Sequence, residues 1–253
     1  MNRPSDCGSV ENVWIAIADT HLRVSDKEKE DRLLKLLDRY SNSMSGLILL
    51  GDIFDVWLGY RHGIFFQAIG FLAKLRELAL KGVSIVYLEG NHDFSLQGFF
   101  ETYIGAQTGK SIEIDLFGKK IYASHGDEFN FDKIDYRITR ALMSSRLMQF
   151  FVSLIPLDIC FWLFNTFSCL SRKFSREKSF DTGRYIQNVK KLACGKNIDY
   201  ILTAHNHLRM DKSIECDQKS IRILNPGFFD DKLHFILITK DCLELKSFDP
   251  ESP

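Results

Sequence analysis

The stretch that decides the fold is LILLGDIFD at residues 47–55, in which four apolar residues run directly into a glycine and an aspartate. A short apolar run that ends in such a turn signal is typical of a buried β-strand. Four further stretches repeat the arrangement, because each places an acid, an amide or a histidine after a mostly apolar run. They are VWIAIADTH at 13–21, VSIVYLEGNHD at 83–93, KIYASHGD at 120–127 and YILTAHNH at 200–207. The sequence therefore predicts five strands that end in chemically active side chains.

Strand ends that meet at one edge of a sheet bring such side chains together in space. The candidates are two aspartates, one asparagine and four histidines: Asp19, His21, Asp52, Asn91, His125, His205 and His207. A set of mixed oxygen and nitrogen ligands suits a pair of divalent cations, which activate water for hydrolysis. A single histidine at a strand end is more often a structural, hydrogen-bonded residue. The prediction of a metal-dependent hydrolase rests on all five motifs together.

The segments between these strands set the fold class. Apolar residues recur at helical spacing over Asp26–Tyr40 and Ile64–Leu80, with Gly82 as the expected C-terminal stop of the second helix. Strands that alternate with helices in this way form parallel sheets joined by crossover helices. A hairpin is expected before His125, and mostly strands after Tyr200. We therefore predict an α/β fold of four layers, αββα, with two packed mixed sheets and helices on both outer faces.

Composition excludes several classes of protein. The net charge of zero gives no general attraction to nucleic acid, so no nucleic-acid partner is expected. The six cysteines form no Cys-x-x-Cys pair, so we expect reduced thiols in a cytoplasmic protein rather than disulfides or a zinc knuckle. The first 12 residues contain no apolar segment, so no secretory signal is expected.

The segment 131–180 interrupts the alternation of strands and helices and is expected to be a helical insertion beside the site. Within it, residues 147–170 carry one charge, Asp158. A membrane-spanning helix is disfavoured because Pro156 and Asp158 fall in its middle, where each is costly in lipid. We expect a helical pair, broken near Pro156, that covers the site and presents an apolar face to a lipid substrate or a bilayer surface. A spanning helix and a plain buried hairpin are the alternatives.

The five motifs, in this order, resemble those of the calcineurin-like metallophosphoesterases along nearly the whole chain. The resemblance implies one domain over residues 12–249, with 131–180 inserted as a helical cap. It also implies a metal pair, commonly manganese, that is bridged by Asp52. One ion would be held by Asp19, His21 and His207, and the other by Asn91, His125 and His205. The ligand types themselves also permit magnesium, iron or zinc.

His92 and Asp55 are the candidate catalytic residues. His92 directly follows the candidate ligand Asn91, and the resemblance gives it the role of general acid or of a charge stabiliser on the leaving oxygen. Asp55 would orient it, since a carboxylate beside a histidine raises the imidazole pKa and fixes its tautomer. The alternative role for Asp55 is to anchor the metal ligands. Asp93 and Asp127 are expected behind the ligands rather than among them.

Within this superfamily the chain looks like the UDP-2,3-diacylglucosamine pyrophosphatases of lipid A biosynthesis. The likeness rests on the chain length, the block GDIFDVW at 51–57 and an apolar-then-basic cap. It implies cleavage of a lipid nucleotide to UMP and an acylated sugar 1-phosphate, at the cytoplasmic face of the inner membrane, where the enzyme would be peripheral. The implied substrate contacts are Tyr136, Arg140 and Ser175. Lys178, with Arg184 as the alternative, is the candidate to replace polar contacts that the chain lacks.

The chain also departs from those pyrophosphatases. Their best-known members have arginine where this chain has His92, and asparagine and lysine where it has Ser179 and Thr182. The alternatives are a phosphoesterase that acts on another phosphomonoester or phosphodiester (a nucleotide, lipid or protein phosphate) and a scaffold without activity.

Overall fold

Two mixed β-sheets form the centre of the structure, which is a computed structural model. It describes residues 12–23, 26–60, 63–93, 95–130, 150, 151, 154–157, 159, 162, 166, 181–216, 219–229 and 232–250. The strands are β1 Val13–Ile17, β2 Met44–Leu49, β3 Ser84–Leu88, β4 Gln107–Gly109, β5 Ser111–Leu116, β6 Lys119–Ser124, β7 Tyr200–Leu202, β8 Met210–Cys216, β9 Lys219–Asn225, β10 Leu233–Ile238 and β11 Leu243–Phe248. The helices are α1 Lys27–Tyr40, α2 Ile69–Leu80 and α3 Thr182–Ala193, together with 3-10 helices at Phe66–Ala68 and Asp127–Asn130 and a π-helix at Gln97–Ile104.

Strand order places the parallel strands at the centre of each sheet. The first sheet runs β11-β10-β1-β2-β3-β4, with β1 to β4 parallel, β10 antiparallel to β1, and the edge strand β11 antiparallel to β10. The second runs β5-β6-β7-β9-β8, in which β6, β7 and β9 are parallel and the outer strands β5 and β8 are antiparallel to their neighbours. The parallel strands of each sheet therefore end at a common edge.

Alternation of side chains along the strands produces the layers. In β1, Ile15 packs in the cluster that contains α1 and α2, while Ala16 packs between the sheets. In β7, Ile201 packs against α3 and Leu202 faces the interior between the sheets. Each central strand is thus buried on both faces, as expected when helices cover parallel strands. The predicted four-layer αββα architecture is confirmed.

The predicted helices agree with the structure except at one boundary. Helix α1 buries Leu33, Leu36 and Leu37, which follow the spacing of one helical face. The helix predicted from Ile64 instead begins as a 3-10 turn at Phe66 and becomes α-helical at Ile69. Its start is delayed because Phe65 has extended backbone and packs against the Val56–Leu58 cluster. The π-helix, β4, β8 and α3 were not predicted.

One prediction from composition is wrong: Cys194 and Cys216 form a disulfide. Cys194 is the C-terminal cap residue of α3, and Cys216 is the last residue of β8. Only the packing of α3 on the second sheet brings them together, to a Cα–Cα distance of 5.1 Å, and a separation of 22 residues carries no sequence signal. Cys242 is outside any disulfide, and the other three cysteines lie beyond the described residues. The expectation of a cytoplasmic protein remains a prediction.

Part of the segment 131–180 is described, and its residues are helical on both sides of an interruption at Ile155 and Pro156. Ile155 packs against the Val56–Leu58 cluster, and its carbonyl accepts a hydrogen bond of 3.0 Å from the Tyr60 hydroxyl. Five large apolar side chains of this segment are 50–65% exposed: Phe150, Phe151, Leu154, Ile159 and Trp162. Within the residues that the structure describes, no helix has both the length and the apolar character needed to cross a membrane.

Candidate metal centre

The seven predicted ligands lie in one cluster at the carboxyl ends of the central strands. Asp52 occupies its middle, because its Oδ2 lies 3.5 Å from Nε2 of His125 and 3.7 Å from Nε2 of His21. Asp52 follows β2 in the first sheet, whereas His125 directly follows β6 in the second. The cluster is therefore assembled from both sheets, and its polar side chains close the edge of the interior between them.

The ligand atoms lie in overlapping groups around Asp52, and one of these places Asp52 with Asp19 and His125 within 4.8 Å. Two further groups can be distinguished. In the first group, atoms of Asp19, His21 and His207 lie within 4.8 Å of one another. In the second, Oδ1 of Asn91 lies 3.1 Å from Nε2 of His125 and 2.9 Å from Nδ1 of His205. These groups have the same members as the two ion sites that the resemblance implies.

The donor set contains buried polar atoms that a divalent cation would satisfy. In the described part of the chain, Oδ1 of Asp19 and Nε2 of His21 are buried and have no hydrogen-bond partner. Buried polar atoms without a partner are rare in folded proteins, because leaving them unsatisfied is costly. A cation between these atoms would satisfy both. The residues therefore fit a site for divalent cations.

The backbone of the cluster is strained. Five of the seven candidate ligands have positive φ angles: Asp19 at 47°, His21 at 43°, Asp52 at 53°, His205 at 69° and His207 at 57°. Such left-handed conformations of non-glycine residues cost about 1–3 kcal/mol each and concentrate at functional sites. The surrounding fold offsets this cost, and the strained backbone directs five side chains from three loops toward one point.

Asp93 anchors the loop that carries Asp52. Its carboxylate accepts hydrogen bonds from the main-chain N–H groups of Asp52 at 2.8 Å, Ile53 at 2.7 Å and Gly90 at 2.9 Å. Gly90 has to be a glycine, since a Cβ there would lie 2.1 Å from Oδ1 of Asp52. Asp93 therefore ties the Asp52 loop to the loop of Asn91. Its position behind the ligands agrees with the expectation from sequence.

Burial and mutual attraction shift the ionisation of the cluster. Burial raises the pKa of Asp19 to about 8 and lowers the pKa of His21 to about 3. Burial also opposes the charges on Asp52 and His125, but their mutual attraction wins: the pKa of Asp52 falls well below its usual range, and that of His125 rises to about 9. At neutral pH the metal-free cluster therefore holds protons on Asp19 and His125.

The contact between His92 and Asp55 differs from the one predicted. Nδ1 of His92 lies 2.9 Å from the main-chain carbonyl oxygen of Asp55, and this carbonyl, rather than the carboxylate, orients the ring. The carboxylate of Asp55 instead pairs with Arg23, with Oδ2 2.8 Å from Nε. The reason is that the Asp55 carboxylate faces Arg23 and also His21, whose Nδ1 lies 3.7 Å from Oδ1 of Asp55. The contact with His21 agrees with the alternative role of Asp55, which is to anchor the metal ligands. The His92 ring stands 4.8 Å from that of His21, so it lies beside the cluster.

Four candidate substrate residues are not placed, since Tyr136, Arg140, Ser175 and Lys178 lie outside the described residues. Sequence reasoning also missed residues that the structure brings to the site, among them Arg23, Asn225 and Phe228. A signal existed for the last two. Asn225 and Phe228 belong to ILNPGFF at 223–229, which again places a polar turn directly after an apolar run, although without an acid or a histidine.

Comparison with known proteins agrees with this geometry. The profile of the calcineurin-like phosphoesterase family matches residues 15–209. The UDP-2,3-diacylglucosamine hydrolase of Psychromonas ingrahamii is 25% identical over 236 residues, which cover 90% of this chain and 94% of that protein. The protein of the same name from Porphyromonas gingivalis is 28% identical over 214 residues, covering 77% of this chain and 81% of its own.

A solved structure described as a novel archaeal phosphodiesterase aligns with 93% of this chain and 98% of its own, at a TM-score of 0.50 and 11% identity. That likeness concerns the fold alone. The family match covers more than half of the chain and includes all five motifs. The chain belongs to the calcineurin-like phosphoesterase family, and it is a hydrolase.

Proposed function

We propose that this protein is a dinuclear-metal phosphoesterase that hydrolyses the pyrophosphate of UDP-2,3-diacylglucosamine to UMP and the diacylglucosamine 1-phosphate. The observation that supports the proposal is the gathering of seven donors, most of them buried, in overlapping groups around Asp52. The choice of substrate is supported by the relatives of that name, which align with most of the chain.

The residues on each side of Asp52 would hold one ion each. Asp19, His21 and His207 would bind the first, Asn91, His125 and His205 the second, and Asp52 would contact both. The chemistry that two divalent cations supply when bound is neutralisation of phosphoryl oxygens and a water molecule of lowered pKa. We take the metal to be manganese from the likeness to the family, and the mixed ligands also accept magnesium, iron or zinc.

His92 would act on the leaving group. Its Nδ1 is held by the carbonyl of Asp55, so the ring is fixed with Nδ1 as the donor and Nε2 available on its other side. A protonated imidazole at this place would donate to the leaving phosphate oxygen or stabilise its charge. The ion pair of Arg23 with the Asp55 carboxylate would hold the Asp55 turn that carries the orienting carbonyl.

The segment 131–180 would form an inserted cap that receives the lipid. Its exposed apolar residues, such as Phe151 and Trp162, would contact acyl chains or the surface of the membrane. Tyr136, Arg140, Ser175 and Lys178 would contact the polar part of the substrate. On this proposal the enzyme is peripheral at the cytoplasmic face of the inner membrane.

The test is release of UMP from UDP-2,3-diacylglucosamine by purified protein loaded with Mn²⁺, run beside a chromogenic phosphodiester and a panel of water-soluble phosphate esters. We expect the lipid nucleotide to give the highest kcat/KM. Cleavage of the chromogenic ester without release of UMP would reject the substrate and keep the phosphoesterase. Binding of less than one divalent ion per chain would reject the metal pair.

A second candidate is hydrolysis of a different phosphoester at the same site. It is favoured by the departures at His92, Ser179 and Thr182 from the residues of the best-known pyrophosphatases. A best rate on a water-soluble nucleotide or phosphoprotein in the same panel would select this alternative.

A further inference from the structure

The turn that follows β9, residues Asn225–Phe229, links the two halves of the ligand cluster. The main-chain N–H of Phe229 donates to the carbonyl of Asp19 at 3.3 Å, and that of Phe228 donates to the carbonyl of His207 at 3.4 Å. Asp19 follows a strand of the first sheet, and His207 follows β7 of the second. The Asn225–Phe229 turn is therefore hydrogen-bonded to ligand loops from both sheets.

The side chain of Asn225 fixes the loop that carries two of the histidines. Asn225 is fully buried, and its Nδ2 donates to the carbonyl of Ala204 at 3.0 Å and to Oδ1 of Asn206 at 2.8 Å. Its Oδ1 accepts from the N–H of Gly227 at 2.8 Å. Ala204 and Asn206 flank His205, so these bonds restrain a main chain that is held in left-handed conformations.

The shape of the turn also depends on Gly227. Its φ of 77° is one that side-chain-bearing residues rarely adopt, and a Cβ there would lie 2.9 Å from the main-chain nitrogen of Arg209. The close approach keeps the turn against the segment after His207. The following residue, Phe228, is thereby delivered to the cluster.

The ring of Phe228 packs directly on the first ligand group. It stacks on the imidazole of His207 with ring centroids 4.9 Å apart and an angle of 24°, and it lies 5.7 Å from the ring of His21. The ammonium of Lys29 stands 4.7 Å from the Phe228 centroid. The side chain of His207 is 46% exposed, and its ring also meets that of His21 edge-on at 5.3 Å, so the stack on Phe228 is one of the ring contacts that restrain its rotation.

We propose that the Asn225–Phe229 turn positions the ion site formed by Asp19, His21 and His207, with Phe228 holding the His207 ring and Asn225 holding the loop beneath it. Neither residue donates a ligand atom, so each is a positioning residue. Partners that orient metal ligands in this way change metal affinity by about 10–100-fold when they are removed. The inference rests on the proposed metal pair and adds the residues that set the affinity of one of its two ions.

The experiment is a titration of metal-free protein with Mn²⁺, followed by electron paramagnetic resonance and equilibrium dialysis. In Phe228→Leu we expect one ion to bind as in the wild type and the other about 10–100-fold more weakly. The spectrum of the spin-coupled pair should then give way to that of an isolated ion at limiting Mn²⁺. Phe228→Tyr, which keeps a stacking ring, should restore the wild-type affinity.

Asn225→Asp provides the second variant, since it keeps the acceptor for Gly227 and loses the donor to Ala204 and Asn206. It should weaken the ion held by His207 and also the other ion, because the loop that it releases carries His205 as well. The melting curve of the metal-free variant will show whether it folds. If it does not fold, Phe228→Leu and Phe228→Tyr decide the matter. Phe117→Leu and Asn197→Asp are the matched controls, because both residues precede strands whose other ends carry the cluster, and both should bind Mn²⁺ as the wild type does.

Activity provides an independent measure. In Phe228→Leu, kcat for release of UMP should fall at limiting Mn²⁺ and recover at high Mn²⁺, with KM unchanged. Two ions of wild-type affinity in both Phe228→Leu and Asn225→Asp would overturn the inference and leave the proposed function intact. A wild-type protein that binds less than one ion would overturn both.

Discussion

The candidate metal centre and the cap segment are opposite kinds of surface. The centre is built from buried polar residues at strand ends, where Asp19, Asp52 and His125 are at most 1% exposed. The described part of the cap presents apolar residues to solvent, such as Leu154 at 64% and Trp162 at 65%. The centre is held by two sheets and by anchors such as Asp93. On the proposed function, the centre would carry out chemistry on any phosphoester, and the cap segment would select an apolar one.

The largest effect is expected from a variant of the candidate metal centre. Asn91→Ala should lower kcat/KM on every substrate by more than the roughly 100-fold that loss of an outer metal partner costs, because it removes a ligand oxygen near two histidines. The fold should remain, since the residue lies in a loop after β3. Parallel assays on the lipid nucleotide and on a chromogenic phosphodiester, with circular dichroism, provide the measurement. An equal fall on both substrates would agree with a centre that acts on any phosphoester. A fall on one substrate alone would contradict it.

His92→Gln should reduce kcat by about 10²-fold while metal content stays at the wild-type value, because His92 contacts the cluster without belonging to either ligand group. Metal analysis and a kinetic assay on the same preparation test this. Loss of an ion in His92→Gln would show that His92 is a metal ligand rather than a residue that acts on the leaving group.

Trp162→Ser tests the proposed role of the cap segment in selecting the substrate. It should raise KM for the diacyl nucleotide about tenfold, an amount equal to roughly 1.4 kcal/mol of lost apolar contact, and should leave the chromogenic ester unaffected. The matched control is Tyr103→Ser, since Tyr103 is similarly exposed, at 63%, and lies on the π-helix outside the cap. An equal change in KM for both substrates would show that the exposed apolar face has no part in selection.

A smaller effect is expected from pH, which should change the affinity of the cluster for Mn²⁺. Metal binding displaces protons, and in the metal-free cluster Asp19, with a pKa of about 8, and His125, with a pKa of about 9, hold protons at neutral pH. The dissociation constant for Mn²⁺ should therefore fall as the pH rises from 6 to 9. Calorimetric titrations in buffers of different ionisation enthalpy measure the protons released. Affinity that is independent of pH would contradict the protonated state of the free cluster.

Much of the fold, and the residues that make up the ligand cluster, could be predicted from the sequence. The apolar runs before Asp19, Asp52 and Asn91 are parallel strands in the structure, and all seven candidate ligands lie in one cluster. These features could be predicted because strand periodicity and the ligand chemistry of acids and histidines are local properties. The assignment of each ligand to an ion remains a prediction.

Other features depend on contacts that no local pattern encodes. The disulfide of Cys194 with Cys216 exists because α3 docks on the second sheet. The pairing of Asp55 with Arg23 leaves the carbonyl to orient His92. The apolar run before the Asn225–Phe229 turn signals a turn, but the turn contains neither acid nor histidine, so only the packing of the two sheets shows that it lies beside the ligands.

The most direct test of the metal centre is a crystal structure of the protein grown with Mn²⁺, with anomalous difference maps recorded for manganese. We expect two peaks, roughly 3.5–4 Å apart, on either side of Asp52. One should lie among Asp19, His21 and His207, and the other among Asn91, His125 and His205. A single peak, or peaks that leave Asp52 without a bound ion, would contradict the proposed metal pair.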